Sequence, residues 1–449
     1  MARLPYRARR REKRPAGVNA SSLRAFAASV YGLLSEAAFA SVYAHTQYGY
    51  EQNTAHTFRA MSISGESRSE SKRRIQFAFT DEQEQFRVTI RRFLAERAPA
   101  TAVRRLMATA DGYDPLVWRQ LSEELALPGI HIPEQYGGGG FGIIELCIAT
   151  EEQGRALLCA PYFSTAVLAA NAILNAGTEG QKSTLLPEIA NGSRLATLAI
   201  AEPDGNWDPA GIATVASPDG EGYRLDGTKS YVVDGHLADL LIVAARAPKT
   251  AGPQGLALFT LVADASGVER RLLESMDPTR KIAHIDFRGA HANLLGQLDG
   301  AKSITQTLDQ AAIALANEMV GGAQALLDSA VNYAKLRVQF GRTIGSFQAI
   351  KHKLADMLLE VELAKSAAYC AAQTAAVDDP DCAALASLAK AAASETYLHT
   401  AIECIQIHGG IGFTWDNDTH LWFKRAKSSE VFLGQPSYHR ELLMQRWGV

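Results

Sequence analysis

The sequence has little of what marks several common protein classes. Its five cysteines, Cys147, Cys159, Cys370, Cys382 and Cys404, are widely spaced and include no C-x-x-C pair. Neither a disulfide framework nor a metal site is therefore predicted. A net charge of −3 gives no general attraction to nucleic acid or to an anionic membrane. The weak apolar run near the N-terminus is too short between charges to span a bilayer. The reducing cytoplasm is the predicted location.

The first 76 residues differ in composition from the rest. They begin with the strongly basic MARLPYRARRREKRP and continue through the polar MSISGESRSESKRR. A targeting segment rich in Arg and Ser and a translation start at Met61 both stay open as explanations. Residues 1–76 are predicted to lie outside the folded part.

The remaining chain changes character twice, which predicts an α+β fold of three domains. Residues 77–195 show helical periodicity, starting with a capping box formed by Thr80 and Gln83. Residues 196–300 contain short β-rich segments separated by Gly, Pro and Asp, which is typical of antiparallel strands in a sheet or barrel. Residues 301–449 carry Ala-rich helical patterns that predict a C-terminal four-helix bundle.

Two motifs interrupt the helices of the predicted bundle. RVQFGRTIGSFQAIKH, residues 337–352, places arginines at a helix end just before the next helix begins. Free N–H groups at a helix start and planar guanidinium groups both suit phosphate oxygens. IQIHGGIGFTWDND, residues 405–418, places Gln406 before the pair Gly409-Gly410, where a ligand could approach the backbone closely. Taken alone, the first motif also fits a surface break between two helices, with arginines that are merely solvated.

Together with IPEQYGG and the order of the domains, these motifs resemble the acyl-CoA dehydrogenase family over about residues 77–449. The resemblance implies removal of an α-proton and a β-hydride from an acyl-CoA thioester, with FAD as cofactor. It implies a tetramer, homomeric or heteromeric, in which the bundle binds FAD held mainly by a neighbouring chain. It assigns Arg337 to the FAD pyrophosphate and Phe340 to the adenine half. The other implied FAD contacts are Gln348, Gln406, Gly409 and Gly410.

The resemblance fails at the catalytic base. The family's usual glutamate, in a pattern like Y-E-G-T, corresponds to Leu433, and an alternative family position corresponds to Ala311. Neither side chain accepts a proton. Glu430 lies three residues before Leu433 and is the candidate base; Glu318, seven residues beyond Ala311, is a more distant one. The alternative for both glutamates is a structural ion pair, for example with Arg425 or Lys427.

The flavin contacts implied for the β domain are also incomplete. The family's T-E-P reads Ala201-Glu202-Pro203, and its W-I-T reads Tyr231-Val232-Val233, so both side-chain hydroxyls are missing. The chain thus has the residues expected to bind a neighbour's FAD but lacks some of those expected to bind its own. In this combination it resembles the partner subunits of heteromeric steroid-side-chain acyl-CoA dehydrogenases.

Three functions therefore stay open. The first is a self-sufficient FAD-dependent acyl-CoA dehydrogenase with an atypical base. The second is a non-catalytic partner subunit that completes another chain's FAD site. The third is the same fold with other flavin chemistry on a CoA ester.

The remaining expectations are coarser. The partner-subunit resemblance favours a bulky or branched acyl-CoA as substrate, and the family implies an electron-transfer flavoprotein as electron acceptor.

Asp416, Asp418 and His420 are predicted to lie in a solvated loop, which is preferred over a metal site. His408 is open as a flavin contact or as a helix-capping histidine.

Overall fold

A computed structural model describes residues 79–449. The predicted extension over residues 1–76 lies outside this part of the chain. In order along the chain, the described region contains helices, then a β sheet, then long helices, as the sequence patterns predict.

The N-terminal region is built from short and medium helices around one apolar core. The predicted capping box is present, because Gln83 N donates to Thr80 Oγ1 and Thr80 N donates to Gln83 Oε1. A π-helical turn over Phe163–Ala169 leads directly into the fifth α-helix. The helices are α1 (Asp81–Arg97), α2 (Ala100–Met107), α3 (Pro115–Glu123), α4 (Ile143–Ala156), α5 (Ala170–Ala176) and α6 (Glu179–Ala190).

The middle region is a mostly antiparallel seven-stranded sheet that closes on itself. Pairing runs from β4 through β2, β3, β7 and β5 and back to β4, so these strands form a barrel with an apolar interior. The sequence patterns predicted antiparallel strands only, whereas β4 pairs in parallel with β1 and, at one residue pair, with β2. The strands are β1 (Ala196–Ala199), β2 (Val215–Asp219), β3 (Gly222–Val233), β4 (Leu240–Arg246), β5 (Leu256–Val262), β6 (Val268–Leu273) and β7 (Ile282–Leu295).

The C-terminal region contains three long helices, α7 (Ala301–Leu336), α8 (Gln348–Ala376) and α9 (Cys382–His408), followed by α10 (Thr419–Val431) and α11 (Pro436–Arg446). Asn317 on α7 contacts Ala368 on α8, and Glu360 on α8 contacts His399 on α9. Helix α8 is antiparallel to both neighbours, because Gln324 contacts Lys365 and Lys353 contacts Glu403. The ends of α7 and α9 and the start of α8 therefore lie at the same end of the bundle.

Two glycines let α4 and α7 pack with their backbones in contact. A Cβ atom added at Gly154 would lie 1.9 Å from the carbonyl oxygen of Glu318, and one added at Gly321 would lie 1.9 Å from that of Glu151. Any larger residue at either position would push the helices apart. The close packing places Glu318 at the junction between the helices and the barrel.

We expect Gly321→Ala to destabilise the protein by about 1–3 kcal/mol or more, because overpacking against backbone atoms forces the helices to separate. Gly180→Ala is the matched control: Gly180 lies in helix α6 and an added Cβ meets nothing within 4 Å. The control should leave stability unchanged or raise it by up to about 1 kcal/mol. Urea unfolding followed by circular dichroism measures both. Equal effects of the two substitutions would contradict the packing argument.

Candidate active site and nucleotide-binding surface

A large cavity of about 660 Å³ lies between the barrel and the segment that joins α10 to α11. Its walls come from the loop after β1, the end of β3, the segment between β6 and β7, and residues 427–438. They are lined by Asp204, Gly205, Asn206, Trp207, Tyr231, Val233, Ser275, Met276, Arg280, Ile282, Lys427, Ser428, Val431, Phe432, Gly434, Gln435, Ser437 and Tyr438.

The shape of the cavity depends on one irregular strand residue and a group of rings. Tyr231 lies at a shift in the pairing of β3 with β7 and has a φ of +58°. Such bulges commonly turn a side chain toward a site. On the opposite wall, the ring of Phe432 packs edge-on against Trp207 and Phe163, at 5.3 and 5.5 Å between ring centres. The cavity thus has aromatic walls suited to a flat or bulky apolar group.

The two positions that correspond to the family's bases are buried and apolar. Leu433 is 4% exposed and Ala311 is fully buried. Glu430 does not line the cavity, and its carboxylate forms an ion pair with Lys427 on the same helix. The structure therefore gives Glu430 the ion-pair geometry that the sequence left open as its alternative. Its role as a base stays a prediction.

Glu318 is held in a buried ion network that joins α7, α10 and the barrel. Its carboxylate accepts hydrogen bonds from Arg280 at 2.6 Å and from Arg425 at 2.9 Å. Arg425 also donates to Asp277 at 3.0 Å. The Arg280 guanidinium carbon lies 5.3 Å from the ring centre of Phe163. A carboxylate bound by two arginines is a poor proton acceptor, so this geometry favours a structural role for Glu318.

Other carboxylates near the cavities are also engaged or exposed. Asp204 is the one acid among the lining residues of the large cavity, and it lies exposed, accepting a hydrogen bond from Asn206 N. Asp234 lines a separate polar cavity of about 20 Å³, room for about one water molecule. Burial raises the pKa of Asp234 to about 6, and Ser164 donates to it at 2.6 Å. In the described chain, no dry, unpaired carboxylate lines the large cavity.

The wall segment around Leu433 is fixed by two buried side chains. Lys390 Nζ donates to the carbonyl oxygens of Glu430 and Gly434 at 3.2 and 3.0 Å. His439 Nε2 lies 2.9 Å from the carbonyl oxygen of Leu433. Burial lowers the pKa of Lys390 to about 7 and that of His439 to about 3. The segment therefore holds its shape without a base on it.

The A-E-P segment after β1 has a clear structural role. The Glu202 carboxylate accepts hydrogen bonds from the backbone and hydroxyl of Thr214 and from the buried Lys229 at 2.9 Å. This pairing fixes the start of the loop that carries Asp204 and Trp207 into the cavity wall. Ala201 and Val233, where the related motifs carry hydroxyls, are both buried and offer no side-chain hydrogen bond.

The first predicted FAD motif forms a β-hairpin at the tip of the bundle. Strands β8 (Val338–Gln339) and β9 (Arg342–Thr343) pair across Phe340 and Gly341, whose φ angles are +53° and +76°. Two positive φ values are the signature of a tight two-residue hairpin turn. A positive φ at a bulky residue such as Phe340 costs about 1–2 kcal/mol of backbone strain. The side chain of Phe340 is 92% exposed.

The residues of this tip present charge and rings outward. Arg337 is exposed at the end of α7 and forms no ion pair within the described chain. The Arg342 guanidinium carbon lies 4.0 Å from the ring centre of Phe347, which contacts Phe340 edge-on. Helix α8 then begins at Gln348 without a side-chain cap. An uncapped helix start with arginines beside it is suited to an anion.

The second predicted motif lies at the same end of the bundle. Gln406, Gly409 and Gly410 are exposed, and a Cβ added at either glycine would meet nothing within 4 Å. Gly409 has a φ of +68°, where glycine is favoured. We call this end of the bundle the clamp surface, defined by Arg337, Phe340, Gln348, Gln406, Gly409 and Gly410. The directions of the helices thus put all six residues assigned to FAD at one end of the bundle.

The comparisons with known proteins agree with this architecture. Residues 80–193, 197–289 and 299–448 match the N-terminal, middle and C-terminal domain models of acyl-CoA dehydrogenases. The chain belongs to the acyl-CoA dehydrogenase family. Members of this family are oxidoreductases that act on acyl-CoA thioesters. The family resemblance and the α+β architecture predicted from the sequence are confirmed.

Three relatives illustrate the similarity. Acyl-CoA dehydrogenase IpdE2 of Mycobacterium tuberculosis is 34% identical over 81% of this chain and 95% of its own length. A variant of the Tcur3481-Tcur3483 steroid ACAD has a TM-score of 0.74 at 33% identity, covering 82% of this chain and 98% of its own. The ChsE4-ChsE5 complex of Mycobacterium tuberculosis has a TM-score of 0.74 at 26% identity, covering 83% and 99%.

Two further expectations concern membranes and metals. Among residues 79–449, no helix is both long and apolar enough to cross a bilayer. Within the same residues, no three metal-ligating side chains converge. In the loop that invited a metal reading, Asp418 instead pairs with Arg104 at 2.6 Å and His420 packs against Trp415.

Apart from Tyr231 and Val233, the sequence patterns did not point to the residues that shape the cavity. Trp207, Arg280, Phe432 and Tyr438 lie in segments without a recognisable spacing. Phe432 was the most accessible signal, because an aromatic residue precedes the glutamate in the family's Y-E-G-T pattern.

We expect Glu318→Gln to lower the free energy of unfolding by about 3–5 kcal/mol, because it removes a buried counter-charge from two guanidinium groups. The control is Glu395→Gln, which breaks an exposed pair with Arg440 and should change stability little. Urea titrations of both variants provide the comparison. Equal stabilities would show that the Glu318 network does not hold the domains together.

Proposed function

We propose that this chain is a non-catalytic subunit of a heteromeric, FAD-dependent acyl-CoA dehydrogenase, and that its clamp surface completes the FAD site of the partner. The observation that carries the proposal is an asymmetry. The clamp surface is assembled and open, whereas the positions for a base hold Leu433 and Ala311. Dehydrogenation would then take place in the partner chain.

The clamp surface fits the phosphate-containing half of a dinucleotide. Arg337 offers a guanidinium fork that no carboxylate of the described chain occupies, and Gly409 and Gly410 allow close approach of an oxyanion to the backbone. The start of α8 adds free N–H groups and the positive end of a 29-residue helix. The exposed ring of Phe340 is suited to packing against adenine.

The chain's own cavity fits a flavin less well. Its aromatic walls suit a ring, but Ala201 and Val233 supply no hydroxyl to the ring edge. Flavin bound at such a site would accept a hydride from the acyl β-carbon. A general base must then take the α-proton in a dry site, and such a base is worth about 10²–10⁴-fold in rate. The cavity residues of this chain offer only the exposed Asp204.

Assembly with another chain is supported by apolar side chains on the bundle surface. Leu359, on α8, is 57% exposed, and Ile402, on α9, is 41% exposed. Leu358 and Leu363 lie on the same helix as Leu359 and are also exposed.

Two structural relatives carry paired chain names, Tcur3481-Tcur3483 and ChsE4-ChsE5. A heterotetramer acting on a bulky, steroid-derived acyl-CoA, with an electron-transfer flavoprotein as acceptor and a cytoplasmic location, is the corresponding expectation.

Arg337→Ala should weaken FAD binding to the assembled complex by about 10- to 100-fold, because a hydrogen bond to a charged group is worth about 1.5–3 kcal/mol. Arg337→Lys keeps the charge without the planar fork and should recover part of the loss. The control is Arg119→Ala, which removes an exposed arginine from α3. Titration of FAD into the apo complex gives the dissociation constants. Unchanged affinity of Arg337→Ala would refute the clamp assignment.

The second candidate is a self-sufficient dehydrogenase with Glu430 as base, favoured only by the spacing of three residues between Glu430 and Leu433. Glu430→Gln in this chain should leave the dehydrogenation rate of the complex unchanged under the main proposal. A loss of 10²-fold or more, the usual worth of a general base, would instead assign the proton transfer to Glu430. The measurement is the acyl-CoA-dependent reduction of an artificial electron acceptor.

A further inference from the structure

We infer that Tyr333 and His408 are positioning residues that hold the two halves of the clamp surface in register. The two motifs of that surface are far apart in the chain and belong to different helices. One half runs from the end of α7 to the start of α8, and the other lies at the end of α9. An interaction between the ends of α7 and α9 must therefore fix their separation. This inference rests on the proposed function and deepens it.

The two side chains form a stacked pair between the helix ends. Their ring centres lie 4.3 Å apart with an angle of 23° between the planes. His408 is 7% exposed, and its Nδ1 lies 2.8 Å from the carbonyl oxygen of Cys404, one turn earlier. The imidazole is thereby fixed on α9, and the phenol of Tyr333 packs flat against it from α7.

Each member of the pair is bonded or adjacent to a clamp residue. The carbonyl oxygen of Tyr333 accepts the backbone N–H of Arg337 at 2.8 Å, which fixes the last turn of α7. His408 directly precedes Gly409, whose N–H closes the end of α9. A second contact between the helices lies one turn deeper, where Cys404 Sγ donates to the carbonyl oxygen of Leu326 at 3.3 Å.

Stacking fixes geometry in a way that an aliphatic contact does not. A flat ring pair sets both the separation and the relative tilt of the helix ends, whereas an aliphatic side chain has more rotamers and no preferred plane. Both halves of the clamp surface must contact one pyrophosphate group at once. A small error in their separation would therefore cost affinity even if every clamp residue were present.

The test uses FAD as the probe and the complex of this chain with its homologous partner. Tyr333→Leu keeps the apolar bulk and removes the stack, so we expect FAD to bind about tenfold more weakly. Tyr333→Phe keeps the ring and should bind FAD as the unmodified complex does. His408→Ala should also lose the stack and weaken FAD binding to a similar extent. Loss of affinity in Tyr333→Phe equal to that in Tyr333→Leu would overturn the inference.

A double-mutant cycle separates positioning from general destabilisation. If the stack acts through the clamp, Tyr333→Leu should cost about tenfold in the unmodified complex and less than threefold when Arg337→Ala is already present. Equal effects in both backgrounds would mean that the residue is merely structural and would overturn the inference.

If Arg337→Ala alone leaves affinity unchanged, the clamp function itself fails. If Arg337→Ala weakens binding and Tyr333→Leu does not, only the positioning role fails.

Discussion

The buried ion network of Arg280, Glu318, Arg425 and Asp277 is the constraint on which the arrangement around the cavity depends. It links the barrel to α7 and α10 through charges that are almost fully removed from water. Buried charges persist only when each one is paired and hydrogen-bonded, so the three segments have little freedom to move relative to one another. The close contact of α4 with α7 at Gly154 and Gly321 sets the position of Glu318 within this network.

The same network determines what the cavity can do chemically. Glu318 is committed to two arginines, and the guanidinium of Arg280 lies against the rings of Phe163 and Phe432. Nearby, Lys390 and His439 fix the wall segment with a leucine where related enzymes carry their base. A cavity with aromatic walls, whose one acidic lining residue is the exposed Asp204, therefore lies in a chain whose clamp surface is open. The proposed division of labour between two chains follows from this contrast.

The sequence predicted the global features because they rest on periodicity and on local signals. The long helices, the capping box at Thr80 and the strand-rich middle region each have a clear pattern, and the structure reproduces them. The residues of the clamp surface were assigned from the family resemblance, because arginine and glycine at helix ends are also common as ordinary helix caps. Their convergence on one surface follows from the antiparallel course of α8.

Features that depend on three-dimensional pairing were missed. The parallel pairing of β1 with β4 joins strands that are more than 40 residues apart, and no local signal records it. The hairpin at Phe340-Gly341 was predicted only as a break between two helices, because a phenylalanine with a positive φ is uncommon in such positions. The partners of Glu318 and Glu430 were named only as alternatives, since spacing along a helix does not show which charge lies opposite.

The most direct test is the flavin content of the full-length chain, purified alone and purified with a homologous chain that carries a glutamate at the position of Leu433. We predict that the chain alone contains little FAD and that acyl-CoA esters do not bleach it. The co-purified pair should be yellow and should be bleached by an acyl-CoA. If the chain alone were purified fully loaded with FAD, and an acyl-CoA bleached that FAD without any partner chain, the account would be contradicted.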